Sequence, residues 1–357
     1  MNVRADIIKP PKQDIFKSGK FRSYLVQAIV LILFFGFVIW VIDNASTNMK
    51  ANGIAHGFDF LWENSMFDIG YLPFIEHTPV HTYFHAFLVG LLNTILVAVI
   101  GIFFATILGF LVGIGRLSNN WLVSRFCGFY VELFRNIPLL LQLFFWYHAV
   151  LRILPRAKNS LQAGDSFFLN IKGLFLPKPI PEAGFNSVLM IFLLSIIAII
   201  FLWRWAKKRQ AKTGEQFPIF YSSLVIIILP IIFVSYLYNF PMYLEQPVLK
   251  GFNFKGGIRL IPELVALLLA LCIYTGSFIA ENVRSGILAI NKGQIEAANA
   301  VGLKRIQILR LVVIPQAMRV IIPPLTSQYL NLTKNSSLAV AIAYPDLVHV
   351  FAGTALM

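Results

Sequence analysis

The chain is poor in charge. Only 13% of its 357 residues are Asp, Glu, Lys or Arg, with 16 acids against 30 bases. A soluble globular domain is about a quarter charged, so a water-facing shell around one core is excluded. Cysteine is scarce too: Cys127 and Cys272 make neither a disulfide framework nor a metal-ligand spacing. A phosphate-binding loop of the form G-x-x-x-x-G-K-[ST] is missing. Gly251 and Gly256 have its glycine spacing, but Gly257 and Ile258 follow in place of Lys and a hydroxyl residue. An ATP-driven engine would therefore belong to another polypeptide. Clusters of histidine and carboxylate at one membrane face, as an integral-membrane enzyme would want, are also lacking. His77, His81 and His85 are spaced by four, but Pro79 interrupts them, and no metal site is expected there.

What remains is apolar. Hydrophobic residues make up 58% of the chain, 33 of them Phe. Several runs reach the roughly 20 residues needed to cross a bilayer. The expected class is an all-α polytopic membrane protein, with spans near 23–42, 86–114, 138–154, 187–203, 217–238, 261–281 and 316–333. The first has an apolar core from Tyr24 to Ile42, too long for the apolar part of a signal peptide, and is expected to be an uncleaved anchor.

Charge orients the spans. The N-terminal arm carries Arg4, Lys9, Lys12, Lys17, Lys20 and Arg22 and is expected inside. Segment 43–85, with five acids and one Lys, falls outside. Segment 115–137 falls inside, 155–186 outside, and the basic stretch RWAKKRQAKTGEQ (204–216) inside. Segment 239–260 falls outside by alternation, although Lys250, Lys255 and Arg259 argue weakly against it. Segment 282–315 then falls inside. The net charge of +14 is accounted for by these short segments and by anionic lipid, so no nucleic-acid partner is implied.

Two local patterns stand out. Gly101, Ala105, Gly109 and Gly113 recur every four residues and present one small-residue face. Packing within the subunit and an interface between subunits are equally compatible with it. The second pattern is EAANAVGLKRIQILRLVVIP, Glu296 to Pro315. Asn291 and Gln294 suit a helix start, and Gly302 suits a left-handed helix end. A second short helix from Leu303 would align Leu303, Ile306, Leu309 and Val313. Pro315 is expected to separate that helix from the next span. Such a pair of short helices fits either a knob for a groove on a cytoplasmic partner or an ordinary amphipathic surface loop.

These residues resemble the EAA loop of binding-protein-dependent ABC importer permeases: Glu-Ala-Ala, three residues, Gly, nine residues, then Ile-x-Leu-Pro. Here the pattern is met by Glu296, Ala297, Ala298 and Gly302, and closes on Val312-Val313-Ile314-Pro315. FIAENVRSGILAINKGQIEAA (from Phe278), VELFRNIPLLLQLFFWY (from Val131) and SQYLNLTKNSSLAVAIAYPDL (from Ser327) are similar to the polar amino-acid branch. The extra N-terminal span and the long insert at 155–260 resemble the large permease subunit of general L-amino-acid importers.

The resemblance implies a type I importer permease fold, apparently lacking its last span, since a family member has one more after Tyr344-Pro345-Asp346-Leu347. It implies four regions: 1–85 with arm, anchor and outer loop; 86–154, the first part of the core; 155–260, an insert with two extra spans; and 261–357, the second part of the core with the coupling loop. It implies a multi-pass inner-membrane protein that is not itself an enzyme. Its partners would be a pair of ATP-binding subunits, which hold the ATP, a second homologous permease, and a periplasmic amino-acid-binding protein. Glu296, Ala297, Ala298, Gly302, Leu303 and Pro315 would form the ATPase-coupling loop. Among polar groups in the spans, Gln142, Asn331 and Lys334 are candidates for a substrate path. Glu281 is a weaker one that suits pairing with Arg284. The competing class is a secondary amino-acid transporter acting without an ATPase. That class usually shows internal repeats and paired broken helices, and neither is evident.

Overall fold

The computed structural model describes residues 19–51, 58–71, 73 and 75–355. The basic arm with Arg4, Lys9, Lys12 and Lys17 lies outside the described residues, as do His56 and Met357. The chain divides into two compact units: residues 1–67 with 79–85, and residues 68–78 with 86–357.

In the first unit α1 spans Gly19–Ala51. Its side chains are exposed on every face, Ile32 at 70% and Phe37 at 62% among them. An apolar helix with no dry face of its own is solvated by lipid. The loop after it closes on itself: Asn64 bridges Thr82, and the Ser65 N–H donates to the His81 carbonyl at 2.8 Å. The rings of His81 and His85 stack with centroids 4.3 Å apart.

The second unit holds the core. α2 (Tyr83–Gly115) leads into α3 (Trp121–Asn136), whose first turn is capped by the Asn120 side chain accepting from the Leu122 and Val123 amides. The expected span at 138–154 is a composite. It opens as α4 (Leu139–Phe144), widens into a π turn over Phe145–Val150 and tightens over Leu151–Ile153. Two long helices follow, α5 (Phe185–Thr213) and α6 (Ile219–Leu237), packed on each other as a hairpin. The basic stretch after residue 203 is largely a continuation of α5. α7 (Pro262–Leu288) is the most buried span, with Leu264, Leu271, Ile279 and Ala280 inaccessible. Among the described residues six helices are long and apolar enough to cross a membrane, and Leu139–Ile153 is a shorter apolar seventh.

The small-residue face of α2 is used within the subunit. Gly101, Ala105, Gly109 and Gly113 are all buried. A Cβ at Gly109 would lie 2.5 Å from Ile279 of α7, and one at Gly113 would lie 2.7 Å from the Ala280 carbonyl. At Gly101 it would meet Leu332 at 3.1 Å. Backbone-close packing of this kind supplies the dispersion energy that holds helices together where lipid removes any hydrophobic gain.

The helical class is as expected. What the sequence reading missed is eight short strands flanking the α5–α6 hairpin. β1 (Leu161–Ala163), β2 (Phe167–Asn170) and β3 (Gly173–Leu176) form a meander, joined across the hairpin by β8 (Ile258–Leu260). β4 (Lys178–Pro181) pairs with β5 (Met242–Glu245), and β6 (Val248–Lys250) with β7 (Asn253–Lys255). Ala157, Phe175 and Phe254 are buried together as a small core of this module.

Helix ends that alternation assigns to one side are found together. At the outer side, the Asn93 amide donates to the Pro345 carbonyl at 2.9 Å and the Tyr147 hydroxyl to Glu263 at 2.8 Å. At the inner side, Arg116 at the end of α2 pairs with Glu281 near the end of α7. The two strand segments share the outer side with Glu263.

Candidate functional site

The inner loop after α7 is built as a rigid corner. Asn291 caps α8 (Lys292–Ala300), its side chain accepting from the Gly293 amide at 2.9 Å. The helix closes through paired bonds, Leu303 N–H to the Ala298 carbonyl at 3.2 Å and Gly302 N–H to Asn299 at 2.9 Å. Gly302 sits at φ +84°, in the left-handed region, which is what this closure demands of the residue after the helix. Ala298 is buried and Ile295 and Leu303 are half-buried against the main core. Glu296, Ala297 and Gly302 face solvent, and no heavy atom lies within 4 Å of where a Cβ on Gly302 would be.

The second half of the loop departs from expectation. α9 (Arg305–Ile308) opens with Gln307 accepting from the Lys304 amide at 2.8 Å. It then runs without a break through a π turn at Leu309–Val313 into α10 (Ile314–Asn335). Pro315 does not separate the two. It lies at the first positions of α10, where a missing N–H costs little, and the wide turn before it takes up the extra residue. The wide turn also shifts the helical phase. Ile308 and Val313 are therefore the buried pair, while Ile306 and Leu309 of the expected stripe are exposed. Val301 at 80% and Ile306 at 78% exposure lie on either side of Gly302 in sequence. Sequence reasoning passed over Val301. Its signal was an apolar residue beside the helix-ending glycine.

The polar candidates separate into three settings. Gln142 is buried and spends its amide on the Phe134 and Ile137 carbonyls, both at 2.9 Å, bracing the corner between α3 and α4. Glu281 is held by Arg116 and by Arg284 at 2.8 Å, with Arg135 at 3.9 Å. Asn331 and Lys334 are exposed on α10 and bonded to neither of the others. They share a helix face with Arg319 and Ser327, opposite the buried row Ala317, Ile321, Leu325 and Leu332. Among the described residues Arg319, Ser327, Asn331 and Lys334 make no side-chain hydrogen bond or ion pair. A polar face on a spanning helix does not rest against lipid.

Among the described residues Glu281 is the carboxylate that pairs with these three guanidiniums, with Glu132 lining the same recess, so its removal has a definite sign. Glu281→Gln leaves Arg116, Arg135 and Arg284 to repel one another. Breaking a buried pair costs about 3–5 kcal/mol, but this carboxylate is 24% exposed, so screening reduces the loss to about 1–2 kcal/mol. A lower unfolding temperature in detergent is expected, with partial recovery in Glu281→Gln/Arg116→Gln. An unchanged melting profile would show the cluster to be energetically idle.

Comparison with known proteins accords with these features. Residues 101–356 match the family described as binding-protein-dependent transport system inner membrane component. The chain is 50% identical to the general L-amino acid transport system permease protein AapQ of Rhizobium johnstonii, over 93% of this chain and 82% of that one. It is 46% identical to the putative amino-acid ABC transporter permease protein YhdX of Escherichia coli, over 96% and 86%. It is 39% identical to the glutamate/glutamine/aspartate/asparagine transport system permease protein BztB of Rhodobacter capsulatus, over 97% and 89%. With most of the α2–α10 core inside the family match and these relatives aligned over more than four fifths of their length, the chain belongs to the family of multi-pass inner-membrane components of binding-protein-dependent transport systems.

Proposed function

We propose that this chain is a permease subunit of an ATP-driven amino-acid importer, non-catalytic itself, which couples ATP hydrolysis in a separate pair of subunits to movement of L-amino acids. The observation that carries the reading is the exposed corner at Glu296–Gly302. Its outward face carries the small residues Ala297, Ala300 and Gly302 with Val301, beside exposed Glu296 and Asn299, and its inward face is anchored to the core through Ala298, Leu303 and Ile308. Beyond the turn at Gly302–Lys304, α9 runs continuously into α10, so a displacement of the corner is carried into that span. The polar face of α10 then lines the path between this chain and a second, homologous permease. Lys334 supplies a cation for a substrate carboxylate and Asn331 a hydrogen-bonding amide. Gln142 and Glu281 act on this path only indirectly, by holding its supporting helices. A soluble binding protein delivers substrate at the outer side. Residues 1–85 form an added anchor with an outer loop, residues 155–260 an insert between the two halves of the core, and the ATP stays with the partner subunits. The substrate class comes from the relatives, two of which are named for amino acids in general and one for four particular ones.

The test is co-purification followed by transport. The tagged chain, co-expressed with the ATP-binding subunits of its transport system, is expected to retain them in detergent. Proteoliposomes of the assembled complex are expected to take up labelled amino acid only with ATP and binding protein. Lys334→Ala is expected to lower that uptake about tenfold, the scale of one lost charge-assisted contact. Uptake that persists with inactive ATP-binding subunits would defeat the proposal in favour of an ion-driven carrier.

A further inference from the structure

The outer strand module carries charge of the wrong sign for its position. Segments 155–184 and 239–261 hold seven Lys and Arg against three acids. Loops on the outer side are normally poor in Lys and Arg. Anionic lipid does not account for the excess, because the negative surface potential belongs to the cytoplasmic leaflet. The excess is also not neutralised internally: among the described residues none of these seven is in an ion pair. Three of the cations, Arg156, Lys158 and Lys172, line one recess of about 580 Å³ together with Asn159, Ile171 and Phe252, and no acid lines it.

The recess is held in shape. Lys158 Nζ lies 4.5 Å over the Phe252 ring, and Lys172 Nζ donates to the Phe252 carbonyl at 3.0 Å. Arg259 Nε donates to the Lys172 carbonyl at 2.9 Å, tying β8 to the turn between β2 and β3. Beneath it, Ala157, Phe175 and Phe254 form the module's own core. Phe252 itself is 76% exposed. An exposed aromatic ring with an arginine beside it matches the composition of protein interfaces, and the two lysines held against Phe252 add a positive field for an acidic partner. A loose polybasic segment attracted to lipid has no such framework.

We propose that this recess is a docking surface for an acidic face of the soluble binding protein, with partner carboxylates received by Arg156, Lys158 and Lys172 around Phe252. The inference rests on the importer reading above, and gives the 155–260 insert the task of recognising the delivery protein. Charge at the recess would act chiefly on the association rate and its salt dependence.

The experiment uses the assembled transporter in nanodiscs and the purified binding protein of the same system, with affinity measured at low and high salt. Arg156→Ser/Lys158→Ser/Lys172→Ser is expected to weaken binding about tenfold at low salt and to flatten the salt dependence. Lys208→Ser/Lys212→Ser, on the opposite side by topology, is expected to change neither. Should the triple variant fail to assemble, the exposed single change Lys158→Gln decides, with a smaller loss expected. Equal affinity and equal salt response in native and altered complexes overturn the inference alone. A loss seen only in attachment to vesicles of anionic lipid, with protein binding intact, overturns it in favour of a lipid site. No binding by the unaltered complex sinks the importer reading along with it.

Discussion

Gly302→Asp is expected to leave the subunit folded and inserted while reducing ATP-driven uptake at least about tenfold. The two halves of that expectation have different causes. Gly302 holds φ +84°, so any L residue there is strained by roughly 1–2 kcal/mol. No heavy atom lies within 4 Å of the added Cβ, so that strain is the whole cost to the fold. The same emptiness means the position is free for a partner. A carboxylate placed between Val301 and Ile306, exposed at 80% and 78%, would be buried unpaired whenever that apolar patch is covered. Gly302→Asn separates strain from docking, since Asn tolerates the left-handed region and carries no charge. It should retain most activity. The check is paired: detergent elution profile for folding, and ATPase recovery with uptake for coupling. Wild-type uptake by Gly302→Asp at normal expression would remove the coupling role from this loop.

Gly109→Leu is expected to prevent accumulation of the subunit altogether. Even a Cβ at this position meets Ile279 Cβ and Cγ2 at 2.5 Å and the Gly276 carbonyl at 3.0 Å. These are rigid parts of α7, a β-branched stem and backbone, so neither yields by a rotamer change. Separating α2 from α7 by the width of a side chain would also open the contact of Gly113 with Ala280 and Val283, on the same face. Overpacking costs about 1–3 kcal/mol where the site can adjust, and more here because it cannot. Gly128→Leu on α3, where nothing lies within 4 Å, is the control and should express normally. Equal yields of monodisperse Gly109→Leu and native protein would show that α2 and α7 do not pack as described.

How much was legible follows from how local each signal is. The apolar runs of α1, α2, α5, α6 and α7 are contiguous, so composition alone located them. The α8 corner is equally local: Asn291, Ala298 and Gly302 are cap, packing face and terminator within a dozen residues of one another. By contrast, β3 pairs Leu174 with Leu260 across an entire helical hairpin. Strands of three or four residues with a partner that remote have no periodicity of their own to show, and they were read as loop. Pro315 misled for a related reason. Proline marks a helix boundary only if the backbone around it is otherwise regular, and the π turn at Leu309–Val313 is visible only in three dimensions.

The helical membrane class and the capped corner at Asn291–Gly302 were thus written in the linear order of residues, because hydropathy and capping act over a few turns of chain. Which face of each helix is spoken for was decided only on folding. The glycine face of α2 was compatible with either a neighbouring helix or a neighbouring subunit until Ile279, Ala280 and Leu332 were found against it. Glu281 and Gln142 had the composition of path residues until partners were found on the Glu281 carboxylate and the Gln142 amide nitrogen, Arg116 and Arg284 in one case and the Phe134 and Ile137 carbonyls in the other. Asn331 and Lys334 kept theirs, and stand on the face of α10 that the core leaves uncovered.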